Sequence, residues 1–221
     1  MKKFALWILT GCIVSTYNVQ AASITNADFS RCDYSGWTTE SVPGPATSND
    51  FSIVSKPYGC EAHIEIDSSS AFINLLYQPV DFSLSGTDPL VLHYRFSVDS
   101  TLANQPSLSA DYFAMGFNDG SGQLFNAEGE VGTLFGTPDI NGAANYQGTF
   151  LLADSFANQT GWSLEVQLLS NFDGAAAWMD IQQLSIEPFR PASVSATSTA
   201  LLAIMSFGLL GRARRTTKEI R

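Results

Sequence analysis

LVLHYRFSV, residues 90–98, is the run that decides the fold. Leu90, Leu92, Tyr94, Phe96 and Val98 alternate with Val91, His93, Arg95 and Ser97. A side-chain period of two puts the first set on one face of a β-strand and the second set on the other. One face is apolar and the other carries His, Arg and Ser, so this strand is half buried.

Working outward, the same period recurs. Ala62, Ile64 and Ile66 alternate with Glu61, His63, Glu65 and Asp67. Residues 72–80 form a second, more fully apolar strand. Phe113, Met115 and Phe117 alternate with Ala114 and Gly116, and Trp162, Leu164, Val166 and Leu168 with Ser163, Glu165 and Gln167. The last run, residues 178–187, changes phase: Met179 and Ile181 share one face, Leu184 and Ile186 the other. A bulge near Gln182 accounts for the switch. No stretch between the two termini keeps a helical period for long, and Gly, Asn, Asp, Ser and Pro separate the strands, as in Asn118-Asp119-Gly120-Ser121-Gly122. The expectation is an all-β fold, an antiparallel β-sandwich. Residues 38–50, rich in Ser, Thr, Pro and Gly, read as a long loop. So do residues 126–148, with Gly129, Gly132, Gly136, Gly142 and Gly148, as a loop or a loop plus hairpin.

Both ends read as membrane signals. Lys2 and Lys3 precede an apolar stretch, and Val19-Gln20-Ala21 fits the small-x-small cleavage rule. Residues 1–21 are therefore expected to be a signal peptide. Leu9-Thr10-Gly11-Cys12 offers a rival, a lipoprotein box. At the other end, residues 192–211 are uncharged and about as long as the ~20 residues a spanning helix needs. Arg212, Arg214 and Arg215 follow, a cationic flank that stays on the cytoplasmic side. Residues 22–190 remain as one sandwich domain and residues 191–221 as a sorting or anchor segment. Between residues 22 and 198 there are 20 acidic and 4 basic residues, a net charge of −16. Such a surface excludes nucleic acid as a partner. Once the leader carrying Cys12 is removed, Cys32 and Cys60 are the remaining pair in an oxidising compartment and are expected to form a disulfide. His63 and His93 both fall on the polar phase of a strand.

The tail resembles the PEP-CTERM family of sorting signals. The matching residues are Val194, Ser198 and Thr199, then the apolar residues 200–210, then Arg212, Arg214 and Arg215. Ser195, Ala196 and Thr197 stand where the family has Pro-Glu-Pro, so this is a variant motif. The resemblance implies export from a Gram-negative bacterium, membrane anchoring of the precursor through the C-terminal transmembrane helix, and processing by an exosortase-like enzyme. The product would reside at the cell surface or in the extracellular matrix.

The opening of the domain, Asn26-Ala27-Asp28-Phe29 and then Gly36-Trp37, is similar to that of jelly-roll domains of the galactose-binding-like and carbohydrate-binding kind. That resemblance implies a structural calcium between the first and last strands, with Asp28 and Asp180 as its carboxylates. The alternative is that Asp28 caps a turn and Asp180 faces solvent. It also implies sugar stacking on exposed aromatic rings, for which Trp37, Tyr112 and Tyr146 are the candidates. No Gly-x-Ser-x-Gly, His-Glu-x-x-His, P-loop or dinucleotide fingerprint is present. The expected function is a non-catalytic exported surface or matrix protein that binds exopolysaccharide. Its rivals are a structural or adhesive biofilm component and a secreted hydrolase.

Overall fold

The computed structural model describes residues 23–67, 72–85, 88–101, 112–135, 143–170 and 176–189. The expected signal peptide and the sorting residues Val194, Ser198, Thr199, Arg212, Arg214 and Arg215 lie outside them. No helix among the described residues is long and apolar enough to cross a membrane.

Ten strands make two antiparallel five-stranded sheets. They are β1 (Thr38–Val42), β2 (Phe51–Lys56), β3 (Gly59–Ile66), β4 (Ile73–Val80), β5 (Leu90–Ser100), β6 (Tyr112–Asn118), β7 (Leu124–Phe125), β8 (Ala144–Leu151), β9 (Trp162–Leu169) and β10 (Ala177–Pro188). The front sheet has the order β1-β4-β9-β6-β7 and the back sheet β2-β3-β10-β5-β8. The expected antiparallel, jelly-roll-like sandwich is therefore what forms. Residues 90–98 lie in β5, between β10 and β8, with Leu92, Phe96 and Val98 buried toward the front sheet. The expected bulge is present: the pairing of β10 with β5 shifts register between Ile181 and Gln183.

Two expectations about loops are corrected. Residues 38–42, inside the expected long loop, form the edge strand β1, because each pairs with a residue of β4, from Thr38–Tyr77 to Val42–Ile73. Ser/Thr-rich strands lack the apolar period that marks a half-buried strand. Likewise, Ala144 to Gly148 belong to β8, held by β5 from Val98–Ala144 to Val91–Leu151. An edge strand packs less of its surface, so its pattern is diluted.

Aromatic rings fill both ends of the core. Phe82 touches Phe117, Phe156 and Trp162 with ring centroids at 5.6, 5.3 and 6.5 Å. At the other end, Phe96 stacks on Tyr146 at 5.1 Å and meets the edge of Phe135 at 5.1 Å. Each such pair adds roughly 0.5–1.5 kcal/mol beyond its area burial. Polar side chains that enter this core are bonded. Asn74, fully buried, donates to the Glu65 carbonyl at 2.6 Å and to Asp50 at 3.1 Å and accepts from Ser41 at 2.6 Å. This network ties the two sheets together.

The N-terminal segment, residues 23–37, closes one side of the sandwich. Gln78 of β4 accepts from the Thr25 amide and donates to its carbonyl at 3.0 Å. The Leu184 amide donates to the Ala27 carbonyl at 2.8 Å. The expected Cys32–Cys60 disulfide is formed, with Cα atoms 5.2 Å apart. Gly36 has φ 86°, and a Cβ there would lie 2.7 Å from Thr25. Only glycine fits that turn.

Candidate functional site

Strand β4 reads Ile-Asn-Leu-Leu-Tyr-Gln-Pro-Val, and its faces are partly inverted, with two of its four inward positions held by amides. Asn74, Leu76, Gln78 and Val80 point inward and are buried, while Ile73, Leu75 and Tyr77 are on the outer face and half-exposed. Two amides occupy core positions, each satisfied as described, and an apolar and aromatic row faces outward. A buried polar side chain and an exposed apolar row are the informative departures from ordinary patterning.

The strands beside β4 extend this outer face. Tyr77 pairs with Thr38 on one side and with Glu165 of β9 on the other; Leu75 pairs with Glu40 and Gln167; Ile73 pairs with Val42 and Leu169. On β9, the Ser163 hydroxyl donates to one carboxylate oxygen of Glu165 at 3.1 Å, and the Gln167 amide donates to the other at 3.1 Å. That ladder fixes three polar side chains in the centre of the sheet. The Tyr77 ring has no aromatic partner and its hydroxyl no hydrogen bond among the described residues. Beyond β9, Ala114 and Gly116 of β6 are buried. A Cβ on Gly116 would lie 3.0 Å from Leu124, so residues 124–135 wall this side. The open part spans β1, β4 and β9, about 10 Å across at the usual strand spacing.

The back sheet has a different outer face. Ser52, His63, Asp180, Ser97 and Asn145 form one row across its five strands. His63 Nδ1 lies 2.6 Å from an Asp180 oxygen, and its Nε2 lies 3.6 Å from a Glu65 oxygen. The Asp180 hydrogen bond raises the imidazole pKa, opposed by burial and reinforced by the charges of Asp180 and Glu65. Ser52, His63 and Asp180 are residue types of a hydrolytic triad. The geometry is not one: Ser52 makes no hydrogen bond to His63, whose second nitrogen faces Glu65. Two carboxylates favour the imidazolium, and a protonated histidine cannot take a proton from a serine. Beneath this row the Tyr34 hydroxyl lies 2.7 and 3.0 Å from the Ser52 and His63 carbonyls, and burial pushes the phenol pKa up.

The sequence-derived candidates fall as follows. Trp37 is 7% exposed and stacks on Phe29 at 5.5 Å, so it plugs the sandwich and offers no sugar platform. Its ring is taken by Phe29 because Phe29, at φ 51°, turns back into the core. Tyr146 is in the inward phase of β8, with one ring face on Phe96 and an edge against Phe135. One face of the ring is therefore taken by the core, and the side chain is half-buried. Tyr112 opens β6 opposite Leu169; its side chain lies outside the described residues. Asp28 accepts from the Ser30 amide at 3.1 Å, and this bonding with Ser30 lowers its carboxyl pKa. The neighbouring Ala27 docks on Leu184, four positions along β10 from Asp180, which is about 13 Å of strand. With Asp180 committed to His63, the pair does not fit a shared calcium site. No group of three or more His, Cys, Asp or Glu among the described residues is arranged to hold a metal. The Asn118 to Gly122 run is a turn: the Asn118 side chain accepts from the Gly120 amide at 2.7 Å, and Asp119 from the Ser121 amide at 2.9 Å.

Sequence reading missed Tyr77, Glu165 and Gln167. The signal was there, in Ile73, Leu75 and Tyr77 sharing one phase while Asn74 and Gln78 interrupt the other beside Leu76 and Val80, but a fully apolar reading of residues 72–80 hid it.

No family model and no curated relative matches the chain. Several solved structures are similar in chain path. An arabinose-bound α-L-arabinofuranosidase matches at 12% identity and TM-score 0.45, over 77% of this chain and 27% of the enzyme, so this chain spans about a quarter of that protein. A carbohydrate-binding module specific for non-crystalline cellulose matches at 12% identity and TM-score 0.45, over 74% of this chain and 93% of the module. A xylan-binding domain from Paenibacillus barcinonensis matches at 12% identity and TM-score 0.42, over 77% and 94% respectively. None of these likenesses transfers a ligand or a residue role to this chain.

Proposed function

We propose that this protein is a non-catalytic glycan-binding module whose binding surface is the open outer face of the front sheet. The partly inverted strand β4 carries the reading. Its half-exposed Tyr77 and Leu75 lie against the fixed Ser163–Glu165–Gln167 ladder. A sugar ring has apolar C–H faces and a rim of hydroxyls. Stacking on Tyr77 uses the faces, and the carboxylate and carboxamide of Glu165 and Gln167 take the hydroxyls. Pre-ordering of the ladder lowers the entropy lost on binding.

The two terminal signals read from the sequence support delivery outside the cell, where extracellular polysaccharide is the abundant glycan. Exopolysaccharide is therefore the proposed ligand, and a variant PEP-CTERM-like tail the proposed sorting device. Affinity electrophoresis of the full-length protein through gels containing different neutral and acidic polysaccharides tests the binding claim. Retardation by at least one polymer, weakened about tenfold or more in Tyr77→Ala and in Gln167→Ala with unchanged melting temperature, is the expected result; tenfold corresponds to about 1.4 kcal/mol. Retardation that survives both substitutions would place the binding elsewhere, and no retardation by any polymer would remove the function.

A further inference from the structure

The outer face of the back sheet holds a second concavity, independent of the front face. It is a cleft lined by Arg95, Phe96, Asn145, Tyr146, Gln147 and Gln182, enclosing about 300 Å³. Its construction follows from the bulge. Where β10 shifts register between Ile181 and Gln183, Gln182 is the extra residue, left without a partner on β5. A bulge of this kind re-aims a side chain. Arg95 pairs with Gln183 on one side and Gln147 on the other, and Asn145 lies one row along beside Ser97. Tyr146 is held by its stack on Phe96 and lends its rim to the wall.

In the cleft the polar side chains have no partners among the described residues. Asn26, Asn74, Asn118 and Asn126 each bond backbone or neighbouring side chains. Asn145, Gln147, Gln182, Arg95 and the Tyr146 hydroxyl make no side-chain hydrogen bond or ion pair among the described residues. Of the three described cations, Lys56 pairs with Glu61 at 3.5 Å, and Arg31 lies close enough to Asp33 to help hold its carboxyl low. Arg95 has no such neighbour among the described residues, in a domain of 20 acidic residues. It is surrounded by carboxamides instead.

We infer that this cleft binds a carboxylate carried on a hydroxyl-rich ring, that is, a hexuronate unit. A guanidinium presents five donors in a planar fork that fits a carboxylate through two parallel bonds. The three carboxamides each supply donors and an acceptor, which suits the vicinal hydroxyls of the same ring. The net negative charge of the domain does not forbid this. Charges farther than about 8 Å away are largely screened at physiological ionic strength.

The test uses the full-length protein with short oligomers of galacturonate, glucuronate or mannuronate, each compared with its carboxyl-reduced counterpart by titration calorimetry. At least one uronate oligomer should bind tenfold or more tightly than its reduced form. Arg95→Gln should erase that preference, Arg95→Lys should retain part of it, and added salt should weaken it. Lys56→Gln, on β2 three strands from β5, should leave the preference unchanged, which separates this cleft from a general loss of positive charge. Equal binding of charged and reduced oligomers, no binding of any uronate, or a preference that survives Arg95→Gln would overturn the inference. The front-face reading would stand or fall by its own substitutions.

Discussion

The outer faces of the two sheets are built from similar strands and differ in what their polar side chains do. On the back sheet, His63 is occupied by Asp180 and Glu65, Glu61 by Lys56, and the rows beneath are pinned by Tyr34. On the front sheet the ladder of β9 bonds within itself, and beside it the Tyr77 hydroxyl has no hydrogen bond among the described residues. A charged face whose groups satisfy one another is a solved structural problem, and it leaves little over for a ligand. A face with apolar rings beside a fixed polar ladder has surface to offer. Around Arg95 the back sheet departs from this pattern, and that departure sits at the bulge.

The comparison can be broken by substitution. The largest effect is expected at Trp37, which sequence reading placed among the ligand contacts. Trp37→Ala should destabilise the fold by about 3–5 kcal/mol, as for other large core truncations, in a chemical denaturation series. Polysaccharide affinity of the folded protein should be unchanged; a selective loss of affinity with stability intact would return Trp37 to the binding surface.

Next is the disulfide. Cys32 and Cys60 are 28 positions apart, and removing a cross-link of that span with Cys32→Ala/Cys60→Ala is expected to cost roughly 3 kcal/mol in the loop-entropy view. Equal melting temperatures for the double variant and the parent would show that the N-terminal segment is held without the cross-link.

The pairing on the back sheet has a pH signature. His63 has its pKa raised in the fold, chiefly by Asp180. A raised folded-state value means the contribution is complete below the unfolded histidine value, near pH 6.5, and is lost as pH climbs through the higher folded value. Asp180→Asn should therefore cost about 1.5–3 kcal/mol near pH 5.5, in the range of a charge-assisted hydrogen bond, and less near pH 9. A penalty that grows with pH would contradict the ion pair.

The smallest effect on stability is expected on the front face. Glu165→Gln keeps the side chain's shape and should shift stability by no more than about 0.5 kcal/mol, the usual bound for surface changes, while polysaccharide retardation falls. If stability falls and retardation does not, the ladder of β9 is structural and the two faces are alike.

Periodicity was enough for β3, β5, β6, β9 and β10, because a half-buried strand must alternate, and a phase change in β10 could only be a bulge. The Cys32–Cys60 pair was legible because Cys12 falls in the expected leader, which left these two as the pair to expect. The candidate site was not. Tyr112, Tyr146 and Trp37 are aromatic residues near turns, and nothing in a linear pattern says which ring is already stacked. Phe29 takes Trp37 and Phe96 takes Tyr146 through packing between segments far apart in the chain.

By itself the sequence determined that this is an all-β, antiparallel, acidic domain, since strand period, turn residues and charge are local properties. Only the tertiary structure decided that β4 lies with Asn74 and Gln78 inward and Tyr77 outward. The reason is physical: Thr25, Ser41, Asp50 and the Glu65 carbonyl, brought from four separate segments, satisfy those two amides. An amide so satisfied can occupy a core position beside Leu76 and Val80, and the row Ile73, Leu75 and Tyr77 is then left facing outward.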